Sequence, residues 1–477
     1  MKLRDILPTA AAQAAEIEIS SLAFDDRTVR PGALFFCVSG LTRDGHDFAG
    51  TAMQRGAVAL VVERSVGIGI PEVVVPDVRA AMGAAANRFE RSPSAELAVV
   101  GITGTNGKTT SAWLVRSLLE AAGIGCGLLG TVATLINGVE QPAVRTTPEA
   151  IDLHRLLRRM ADEGDRAAAI EVSSHALELG RVNGVTFEVG VFTNLTQDHL
   201  DFHGTLENYW LAKRRLFDEH SPKHSVVNVD DAYGARLARE FPQATTVGLD
   251  AAADWSAADV DLRIDGSNFI LHHPGGTESV ESRLPGLFNV RNMLGAAAAV
   301  SQLGVPAADI ANALASISGV PGRFESVDCG QPFAVLVDYA HTPDSLENVL
   351  QAARALTDSR VICVVGCGGD RDRAKRPLMG GIAADLADVA IVTSDNPRSE
   401  DPAAIVAEVA AGAAGRATEV LDRAEAIREA VKLAGPSDVV LIAGKGHEQG
   451  QEFADGHKVP FDDRLVARAA LAESGWA

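Results

Sequence analysis

The sequence predicts an α/β protein of three domains, in which the central domain is a P-loop doubly wound parallel sheet and the last is a Rossmann-like sheet. Three observations predict this class. The chain has 477 residues, which is too long for one ordinary hydrophobic core. Short apolar runs alternate with longer amphipathic runs, as strands and helices do around parallel sheets. A glycine-rich turn, GITGTNGKTT, joins one such strand to one such helix.

Changes in this pattern set the expected domain limits at 1–93, 94–320 and 321–477. The first part has short apolar runs such as GALFFCV and AVALVVE between Gly, Asp and Pro residues, which predict the strands of a small α/β domain. From Leu97 the runs predict buried strands followed by longer helices, with an antiparallel excursion between about 245 and 285. After GVPGRFE the alternation restarts and predicts a second open parallel sheet with four helices.

Composition argues against two classes of partner. The chain has 63 acidic and 43 basic residues and a formal net charge of -20. Nucleic acid and anionic membrane surfaces attract basic proteins, so we expect neither as a partner. The five cysteines lack the C-x-x-C spacing of zinc sites, and no apolar run reaches about 18 residues. We therefore expect a monomeric protein of the cytoplasm that acts on small molecules.

The glycine turn predicts a phosphate-binding loop. The common pattern G-x-x-x-x-G-K-[ST] is displaced here, because Ile102 stands where its first glycine would be. A strand, a glycine loop and a helix in that order direct backbone N–H groups at phosphate oxygens. Lys108 would neutralise phosphate charge, and the Thr109 hydroxyl would reach Mg²⁺. The alternative is a strand-to-helix turn without a ligand, which Gly-Lys-Thr-Thr at this junction does not favour.

Polar residues at other strand ends suggest a metal site beside this loop. Glu171 follows an apolar strand, where a carboxylate suits Mg²⁺, although a solvated glutamate is an equal alternative on position alone. NLTQDHLDFHGT follows the next strand and would either place His199 on a second metal or form a hydrogen-bonded turn. With the glycine loop, these residues favour metal-assisted phosphoryl transfer. Helical spacing alone predicts that Lys213, in YWLAKRRLF, is solvated.

The last predicted sheet carries a second group of charged residues. Arg371 and Arg398 follow two neighbouring strands and can each hold a carboxylate through two N–H groups, while Glu448 follows another strand and can hold an ammonium. These residues predict a pocket for an amino acid with more than one carboxylate, with surface ion pairing as the alternative. At the domain junction, Arg323 and Asp338 would clamp a nucleotide or form a linker ion pair.

Eleven motifs in order make the chain resemble the Mur ligases of peptidoglycan synthesis, through all three predicted domains. The motifs are GTNGKTT, TTPE, EVSSHALELGRV, NLTQDHLDFHGT, AKRRLF, FNVRN, GRFE, DYAHTPD, GCGGDRDRAKRPLMG, DNPR and GKGHE. The resemblance implies ATP-dependent amide synthesis by a uridine-nucleotide domain, a central ATPase and an amino-acid domain. It also implies addition of meso-2,6-diaminopimelate to UDP-N-acetylmuramoyl-L-alanyl-D-glutamate. The alternatives are an L-lysine-adding ligase of the same family, a folylpolyglutamate synthase-like ligase, which would lack the first domain, and a non-catalytic nucleotide-dependent binding protein.

The resemblance assigns residue roles motif by motif. Catalysis would involve Lys108, Glu171, His199 and Lys213. ATP would be bound by Gly104, Thr105, Asn106, Gly107, Lys108, Thr109, Thr110, Asn289, Asn292, Arg323 and Asp338. The UDP-linked dipeptide would be bound by Asp26, Thr146, Thr147, Ser173 and Arg181. Diaminopimelate would be bound by Arg371, Asp395, Asn396, Pro397, Arg398, Gly444 and Glu448. Mg²⁺ would be held by Thr109, Glu171, His199 and Lys213 as its carbamate.

Four positions carry particular expectations from the resemblance. Lys213 matches a lysine that the family carbamylates with CO₂ to N6-carboxylysine, which reverses the solvated interpretation. Arg398 of DNPR would pair with the second carboxylate of diaminopimelate, which lysine lacks, and breaking a buried ion pair costs about 3–5 kcal/mol. Asp26 stands where the family often has a serine near the uridine, so we expect its carboxylate to point away from the diphosphate. Leu179 replaces a glutamine that touches the substrate in some relatives.

The implied mechanism has two steps. The γ-phosphoryl group of ATP is transferred to the glutamate γ-carboxylate, which gives an acyl phosphate. The amine of the amino acid then attacks the carbonyl carbon and expels phosphate. Closure of the amino-acid domain would keep water from the intermediate. His199 and His341 are candidates for the base that takes the amine proton.

Overall fold

The strands of the main sheets are near-continuous apolar runs because each sheet is buried on both of its faces. A computed structural model describes residues 1–9, 14–40, 43–143, 145–250, 252–317 and 319–476. Within these residues three main sheets follow one another along the chain, each with apolar clusters on its two faces. The predicted α/β class is confirmed.

The first sheet has four parallel strands in sequential order. The elements of this part are α1 (Leu3–Ile6), β1 (Ser21–Ala23), β2 (Ala33–Phe36), α2 (Ala49–Gln54), β3 (Ala57–Val62), β4 (Glu72–Val74) and α3 (Val78–Phe89). GALFFCV and AVALVVE form β2 and β3, as predicted. Ala150 and Ile151, from further along the chain, pack into the same apolar cluster, so the first two sheets are also joined by buried contact.

The second sheet is the largest and has eight strands. The elements up to its fourth parallel strand are β5 (Ala98–Thr103), α4 (Lys108–Ala121), β6 (Cys126–Leu129), β7 (Ala133–Ile136), β8 (Val139–Pro142), α5 (Ala150–Glu163), β9 (Ala167–Glu171), α6 (Ser174–Glu178) and β10 (Val189–Phe192). Those that follow are α7 (Leu200–His203), α8 (Leu206–Asp218), β11 (His224–Asn228), α9 (Ala232–Glu240) and β12 (Thr245–Val247). The strand order is β12-β11-β10-β5-β9-β6-β7-β8.

This sheet is parallel except at one edge. The antiparallel hairpin of β7 and β8 was not predicted, because two short strands at an edge leave little pattern in the sequence. The predicted antiparallel excursion is confirmed as a separate sheet of β13 (Ser256–Arg263), β14 (Gly266–His273) and β15 (Gly276–Ser282). Helices α10 (Leu287–Ser301) and α11 (Ala307–Leu314) follow. Helices α4, α10 and α11 cover one face of the large sheet, and α5, α6, α8 and α9 cover the other.

The third sheet has six strands and carries the four predicted helices. Its first elements are β16 (Glu325–Ser326), β17 (Ala334–Asp338), α12 (Pro343–Ala355), β18 (Val361–Cys367), α13 (Lys375–Leu386) and β19 (Val389–Ser394). The chain continues with α14 (Pro402–Gly412), β20 (Ala417–Glu419), α15 (Arg423–Leu433), β21 (Val439–Ala443), β22 (Gly450–Glu452), β23 (Lys458–Pro460) and α16 (Asp463–Glu473), of which β22 and β23 form a separate two-stranded sheet. The order is β16-β17-β21-β18-β19-β20, parallel except for β16.

The second and third sheets have the same arrangement of loops at their carboxyl edges. In the second sheet β5 lies between β10 and β9, and in the third β21 lies between β17 and β18. The loops after neighbouring parallel strands meet at the carboxyl edge of each sheet, where ligands bind in this class. The hairpin β22–β23 and helix α16 were not predicted. In the described part of the chain, no helix is long and apolar enough to cross a bilayer.

Candidate active site

The glycine loop joins β5 to α4, and the backbone N–H groups of Thr105 and Asn106 donate to Asn194 at 2.9 Å each. Gly104 and Gly107 have φ values of +152° and +82°, which favour glycine because a Cβ crowds the backbone there. A Cβ on Gly107 would lie 2.3 Å from Asn292 Oδ1, so this turn packs directly against a predicted ATP residue. Gly101 lies inside β5, where a side chain would collide with Phe187. Gly101 therefore serves strand packing and is not part of the loop.

Two lysines reach the carbonyl groups of this loop. Lys108 Nζ donates to the carbonyl oxygens of Gly104 and Thr105 at 2.9 and 2.7 Å. Lys213 Nζ donates to the same Gly104 oxygen at 2.6 Å, and Lys213 is 1% exposed. Burial, with the charge of Lys108 beside it, holds the pKa of Lys213 well below its ordinary value. The solvated position that spacing alone predicts for Lys213 is wrong, because α8 directs this side chain towards the loop.

Glu171 ends β9, the neighbour of β5, and its carboxylate is surrounded by donors. Thr109 Oγ1 donates to Oε2 at 2.9 Å, and Thr131 donates to Oε1 through its backbone N (2.7 Å) and to Oε2 through its hydroxyl (3.0 Å). Arg323 Nη2 donates to Thr109 Oγ1 at 3.3 Å. A hydroxyl and a buried carboxylate therefore lie side by side at the glycine loop, which fits a Mg²⁺ ion shared with nucleotide phosphates.

His199 lies after β10 with a φ of +52°. Its Nε2 is 3.4 Å from Asp198 Oδ2, and its ring meets that of His175 edge-on at 4.8 Å. Burial lowers the pKa of His199, which favours the neutral imidazole that can bind a metal. Among the described residues, no three His, Cys, Asp or Glu side chains form a ready metal cluster. A Mg²⁺ ion here would therefore depend on phosphate oxygens as well as on protein ligands.

The other predicted nucleotide residues lie on α10 and at the end of β17. Asn289 Nδ2 donates to the carbonyl of Pro285 at 2.8 Å, whereas its buried Oδ1 has no partner within the described part of the chain. An unpartnered buried acceptor is costly unless a ligand satisfies it, which fits a nucleotide site. Asp338 accepts two backbone N–H bonds of 2.7 Å each, and burial raises its pKa although Arg323 opposes this.

One contact of the glycine loop was not predicted from the sequence. Asp344, at the start of α12, accepts hydrogen bonds through Oδ2 from Asn106 Nδ2 and Thr196 Oγ1, both at 3.0 Å. Asn106 belongs to the glycine loop and Asp344 to the third sheet's domain. The domain predicted to bind the amino acid therefore contacts the phosphate-binding loop. No local spacing signals this contact, since the two residues are 238 positions apart.

Four of the five residues predicted for the UDP-linked dipeptide lie together. Thr147 Oγ1 donates to the Glu171 carbonyl oxygen at 2.7 Å and lies 3.3 Å from Ser173 Oγ. Arg181 Nη1 donates to the Thr147 carbonyl at 3.3 Å. Thr146 Oγ1 lies 3.0 Å from the threonine hydroxyl that contacts the Glu171 carboxylate. This group is therefore continuous with the glycine-loop site.

The two departures from the family pattern have partners in the protein. Asp26, the fifth predicted dipeptide residue, lies in the first domain, where its Oδ2 accepts from Arg55 Nη1 at 3.0 Å. The carbonyl of Leu179 accepts from Arg79 Nη1 at 3.1 Å, and the same Nη1 lies 3.2 Å from Glu149.

Glu149 also pairs with two further arginines at 2.8 and 2.9 Å. This cluster, which sequence reasoning missed although TTPE contains Glu149, places excess positive charge between the first two domains.

The predicted amino-acid residues meet where β18, β19 and β21 end. They are Arg371, Asp395, Asn396, Pro397, Arg398, Gly444 and Glu448. Asn396 Nδ2 donates to Glu448 Oε2 at 2.8 Å. Arg398 Nη1 donates to the Gly369 carbonyl at 2.7 Å, and its Nε lies 3.2 Å from Glu452 Oε2. The hairpin β22–β23, which was not predicted, supplies Glu452.

The two arginines of this group are adjacent. A Cβ added to Gly368 would lie 3.0 Å from Arg398 Nη1 and 4.0 Å from Arg371 Cγ. Arg371 is exposed and donates to the carbonyl of Asp370 at 3.1 Å. Guanidinium groups can hold carboxylates, and the carboxylate of Glu448 can hold an ammonium. Within the protein, Arg398 uses Nε for its ion pair with Glu452 and Nη1 for the Gly369 carbonyl.

Comparisons with known proteins bear on all three sheets. Family models match the chain as the Mur ligase family, catalytic domain (residues 18–90), the Mur ligase middle domain (102–300) and the Mur ligase, glutamate ligase domain (322–446). The chain is 51% identical over 468 residues to the UDP-N-acetylmuramoyl-L-alanyl-D-glutamate--2,6-diaminopimelate ligase of Geobacillus thermodenitrificans, covering 96% of this chain and 95% of that protein. It is 46% identical over 468 residues to the ligase of the same name from Syntrophomonas wolfei, covering 95% of each.

Two solved structures of Mur ligases are also similar to this chain. A structure of a ligase with that name superposes with a TM-score of 0.74 at 36% identity and covers 100% of both chains. MurF ligase from Thermotoga maritima, solved in complex with ADP, has a TM-score of 0.62 at 20% identity and covers 95% of this chain and 96% of its own. The second similarity shows a shared fold.

Proposed function

The chain belongs to the Mur ligase family, and from that premise we propose that it adds meso-2,6-diaminopimelate to UDP-N-acetylmuramoyl-L-alanyl-D-glutamate. The reaction is an ATP-dependent amide ligation that releases ADP and phosphate, and it serves peptidoglycan precursor synthesis, hence cell wall biogenesis, cell shape and cell division. The observation that carries the proposal is the full-length similarity to ligases of this name, together with the placement of Arg371, Arg398 and Glu448 after the ends of β18, β19 and β21. We also propose that the chain acts as a monomer in the cytoplasm, with no nucleic acid or membrane partner.

The three domains have separate tasks in this proposal. Residues 1–93 bind the uridine nucleotide, 94–320 bind and use ATP, and 321–477 bind the amino acid. The three sheets with their own apolar clusters support this division, as do the three family matches. The contacts of Asp344 and Arg323 with the central domain support a cleft that assembles when the second and third domains meet.

ATP would be bound by residues 104–110, with its phosphates at the start of α4, because the backbone N–H groups of Thr105 and Asn106 already donate to Asn194. Lys108 and Arg323 would supply positive charge to the transferring phosphoryl group. Their positions beside Gly104 and Thr109 support this role. Asn289, Asn292 and Asp338 would contact the nucleotide, and the unpartnered Oδ1 of Asn289 is available to a ligand donor.

Mg²⁺ would be held by Thr109, Glu171 and His199, and by Lys213 once it is carbamylated. When bound, the ion would neutralise charge on the phosphoryl group. The low pKa of Lys213 supports carbamylation, because a neutral amine can attack CO₂. A C–N bond forms as one C–O π bond of CO₂ opens, the nitrogen releases a proton to solvent, and the neutral amine becomes a carbamate anion.

The dipeptide and the amino acid would approach from opposite domains. Thr146, Thr147, Ser173 and Arg181 would hold the dipeptide so that its γ-carboxylate faces the glycine loop, which the continuity of the two groups supports. In the third domain, Arg371 and Arg398 would bind carboxylates and Glu448 an ammonium. The amine that attacks the acyl phosphate must be neutral, and the base that accepts its proton would be His199 or His341. Closure over the acyl phosphate would exclude water.

Product analysis tests this function. The purified chain is incubated with ATP, Mg²⁺, bicarbonate, UDP-N-acetylmuramoyl-L-alanyl-D-glutamate and meso-2,6-diaminopimelate, and each component is omitted in turn. We expect a product with the mass of the UDP-linked tripeptide only when all three substrates are present. Phosphate release that does not depend on the amino acid, without such a product, would contradict the proposal.

A further inference from the structure

A buried lysine lies under the amino-acid pocket and has no part in the chemistry above. Lys445 follows β21 in GKGHE and is 0% exposed. Its Nζ donates to Asn396 Oδ1 at 2.9 Å, to Glu448 Oε2 at 3.0 Å and to Asp395 Oδ1 at 3.2 Å. All three acceptors belong to residues that the family resemblance assigns to the amino acid. Three such bonds use the full donor capacity of an ammonium.

These contacts fix how Asn396 is presented. Its Oδ1 accepts from Lys445 Nζ and from the backbone N of Glu452, at 2.9 and 3.0 Å. An ammonium carries only donors, so the amide oxygen must face it and the amide nitrogen must face away. That nitrogen donates to Glu448 Oε2 at 2.8 Å. Lys445 and the backbone N of Glu452 therefore hold the orientation of the Asn396 amide together.

The same contacts leave one oxygen of Glu448 available. Oε2 accepts from both Lys445 and Asn396. Oε1 has no partner in the part of the chain that the structure describes, and the side chain is 31% exposed. A carboxylate with one oxygen held and the other accessible can accept a ligand ammonium at a defined position. This position depends on the two donors that hold Oε2.

Lys445 also balances charge. Asp395 and Glu448 both lie within 3.2 Å of its Nζ. Without the ammonium, two carboxylates would share a poorly hydrated site, where like charges repel each other and favour protonation of one of them. Glu448, the more exposed of the two, would turn towards water. Asn396 would lose one of the two donors that orient its amide oxygen.

We propose that Lys445 is a positioning residue for the incoming amino acid, which it serves by holding Asn396 and Glu448 in the orientation that accepts an ammonium group. The proposal rests on the proposed ligase function. Lys445 contacts no reacting atom in this account. Its effect should therefore appear in the binding of the amino acid and not in the binding of ATP or of the UDP-linked dipeptide.

Steady-state kinetics of Lys445→Met in the full chain test this inference. Each substrate is varied in turn with the others saturating. A charge-assisted hydrogen bond contributes about 1.5–3 kcal/mol, so we expect the KM for diaminopimelate to rise about 10- to 100-fold. The KM values for ATP and for the dipeptide should stay within about twofold of wild type. Lys432→Met removes an exposed lysine on α15 of the same domain and should change none of the three.

A double-mutant cycle separates positioning from a general structural role. If Lys445 acts through Glu448, the double variant Lys445→Met/Glu448→Gln should raise the KM for diaminopimelate no further than the larger single effect. Additive effects, or a parallel rise in all three KM values, would overturn the positioning role. Should Lys445→Met fail to fold, Lys445→Gln keeps a donor without the charge, and an unchanged KM for diaminopimelate in that variant would overturn the proposal.

Assays of the wild-type chain distinguish a failure of the proposed function from a failure of the positioning role of Lys445. No diaminopimelate-dependent product from the wild type would overturn the proposed function and this inference together. Product from the wild type, with an unchanged KM for diaminopimelate in Lys445→Met, would overturn the inference alone.

Discussion

Lys213 Nζ lies 2.6 Å from the carbonyl oxygen of Gly104. This contact joins α8 to the glycine loop and places a buried amine beside the proposed site of phosphoryl transfer. Its low pKa follows from burial and from the neighbouring charge of Lys108. An uncharged amine at this position can be converted into an anion by CO₂, whereas a solvated lysine would remain a cation.

Replacement of Lys213 tests the carbamate. We expect Lys213→Ala to lower kcat about 10²- to 10³-fold, because an anion that supports the metal beside the developing charge is lost. Addition of a small carboxylic acid such as acetate should restore part of the activity. Phosphate release measures both effects. Lys223→Ala, which removes a surface lysine paired with Glu188, is the control. Full activity of Lys213→Ala in bicarbonate-free buffer would contradict the role.

Glu171 should set the requirement for Mg²⁺. Glu171→Gln keeps the shape and the contact with Thr109 but removes the negative charge. We expect the Mg²⁺ concentration for half-maximal activity to rise at least about tenfold, since the charge of the ligand dominates binding of a hard cation. Magnesium titration of phosphate release measures this. Glu219→Gln, on the exposed end of α8, should leave the titration unchanged, and an unshifted titration of Glu171→Gln would count against the metal site.

Arg398 should decide between diaminopimelate and lysine. Arg398→Lys keeps a positive charge but removes the two-pronged geometry that fits a carboxylate. We expect the ratio of kcat/KM for diaminopimelate over lysine to fall about 10- to 100-fold, mainly through loss of diaminopimelate. Competition between the two amino acids, with products separated by mass, gives the ratio directly. Arg416→Lys, an exposed position in the same domain, is the matched control. An unchanged ratio would contradict this role, and the ion pair of Arg398 with Glu452 would then have a structural role alone.

Acid should weaken the protein through His154. Its Nε2 lies 2.9 Å from the Asn183 carbonyl oxygen, its Nδ1 is buried without a partner among the described residues, and burial lowers its pKa from 6.5 to about 4. Between these values the unfolded chain binds a proton that the folded chain does not. The stabilisation is therefore complete above pH 6.5 and is lost as the pH falls towards 4.

The loss between about pH 7 and about pH 5 amounts to about 2 kcal/mol from this one histidine. Thermal unfolding at both pH values measures it. We expect the decrease in Tm on acidification to be smaller in His154→Gln than in the wild type. His457→Gln, at an exposed position, should match the wild type. An equal decrease in all three proteins would show that His154 is not responsible.

The elements that local pattern predicts are those with strong periodicity or glycine turns. The glycine loop, the four helices of the third domain, strands β5, β9, β10 and β11 of the second sheet and strands β17, β18, β19 and β21 of the third were found from the sequence, whereas the buried strands β6 and β7 were not. The placement of Glu171 beside the loop was also expected, because parallel strands bring their carboxyl ends to one edge. Lys213 shows the limit of this approach, since helical spacing does not show which neighbour a helix face meets.

The features that were missed depend on contacts between distant parts of the chain. Asp344 lies on a predicted helix and Glu452 on a hairpin that was not predicted, but no local signal indicates the contact of either residue with the glycine loop or with Arg398. Helix α16 supplies Asp463, whose carboxylate forms a fully buried pair with Arg423 at 2.7 Å. The residues on either side of Arg423 and Asp463 in the sequence do not indicate this pair. Tertiary packing, and not the local sequence, decides whether a charged side chain is buried. Such pairs can be found only from the folded chain.

The most direct test of the central claim is the relative kcat/KM of the wild-type chain for meso-2,6-diaminopimelate and L-lysine, with ATP, Mg²⁺, bicarbonate and UDP-N-acetylmuramoyl-L-alanyl-D-glutamate saturating. The account predicts a UDP-linked tripeptide that contains diaminopimelate and a preference over lysine of at least about 10²-fold, because lysine leaves a guanidinium unpaired. Equal use of lysine, or a preference for it, would contradict the pocket assigned to Arg371, Arg398 and Glu448.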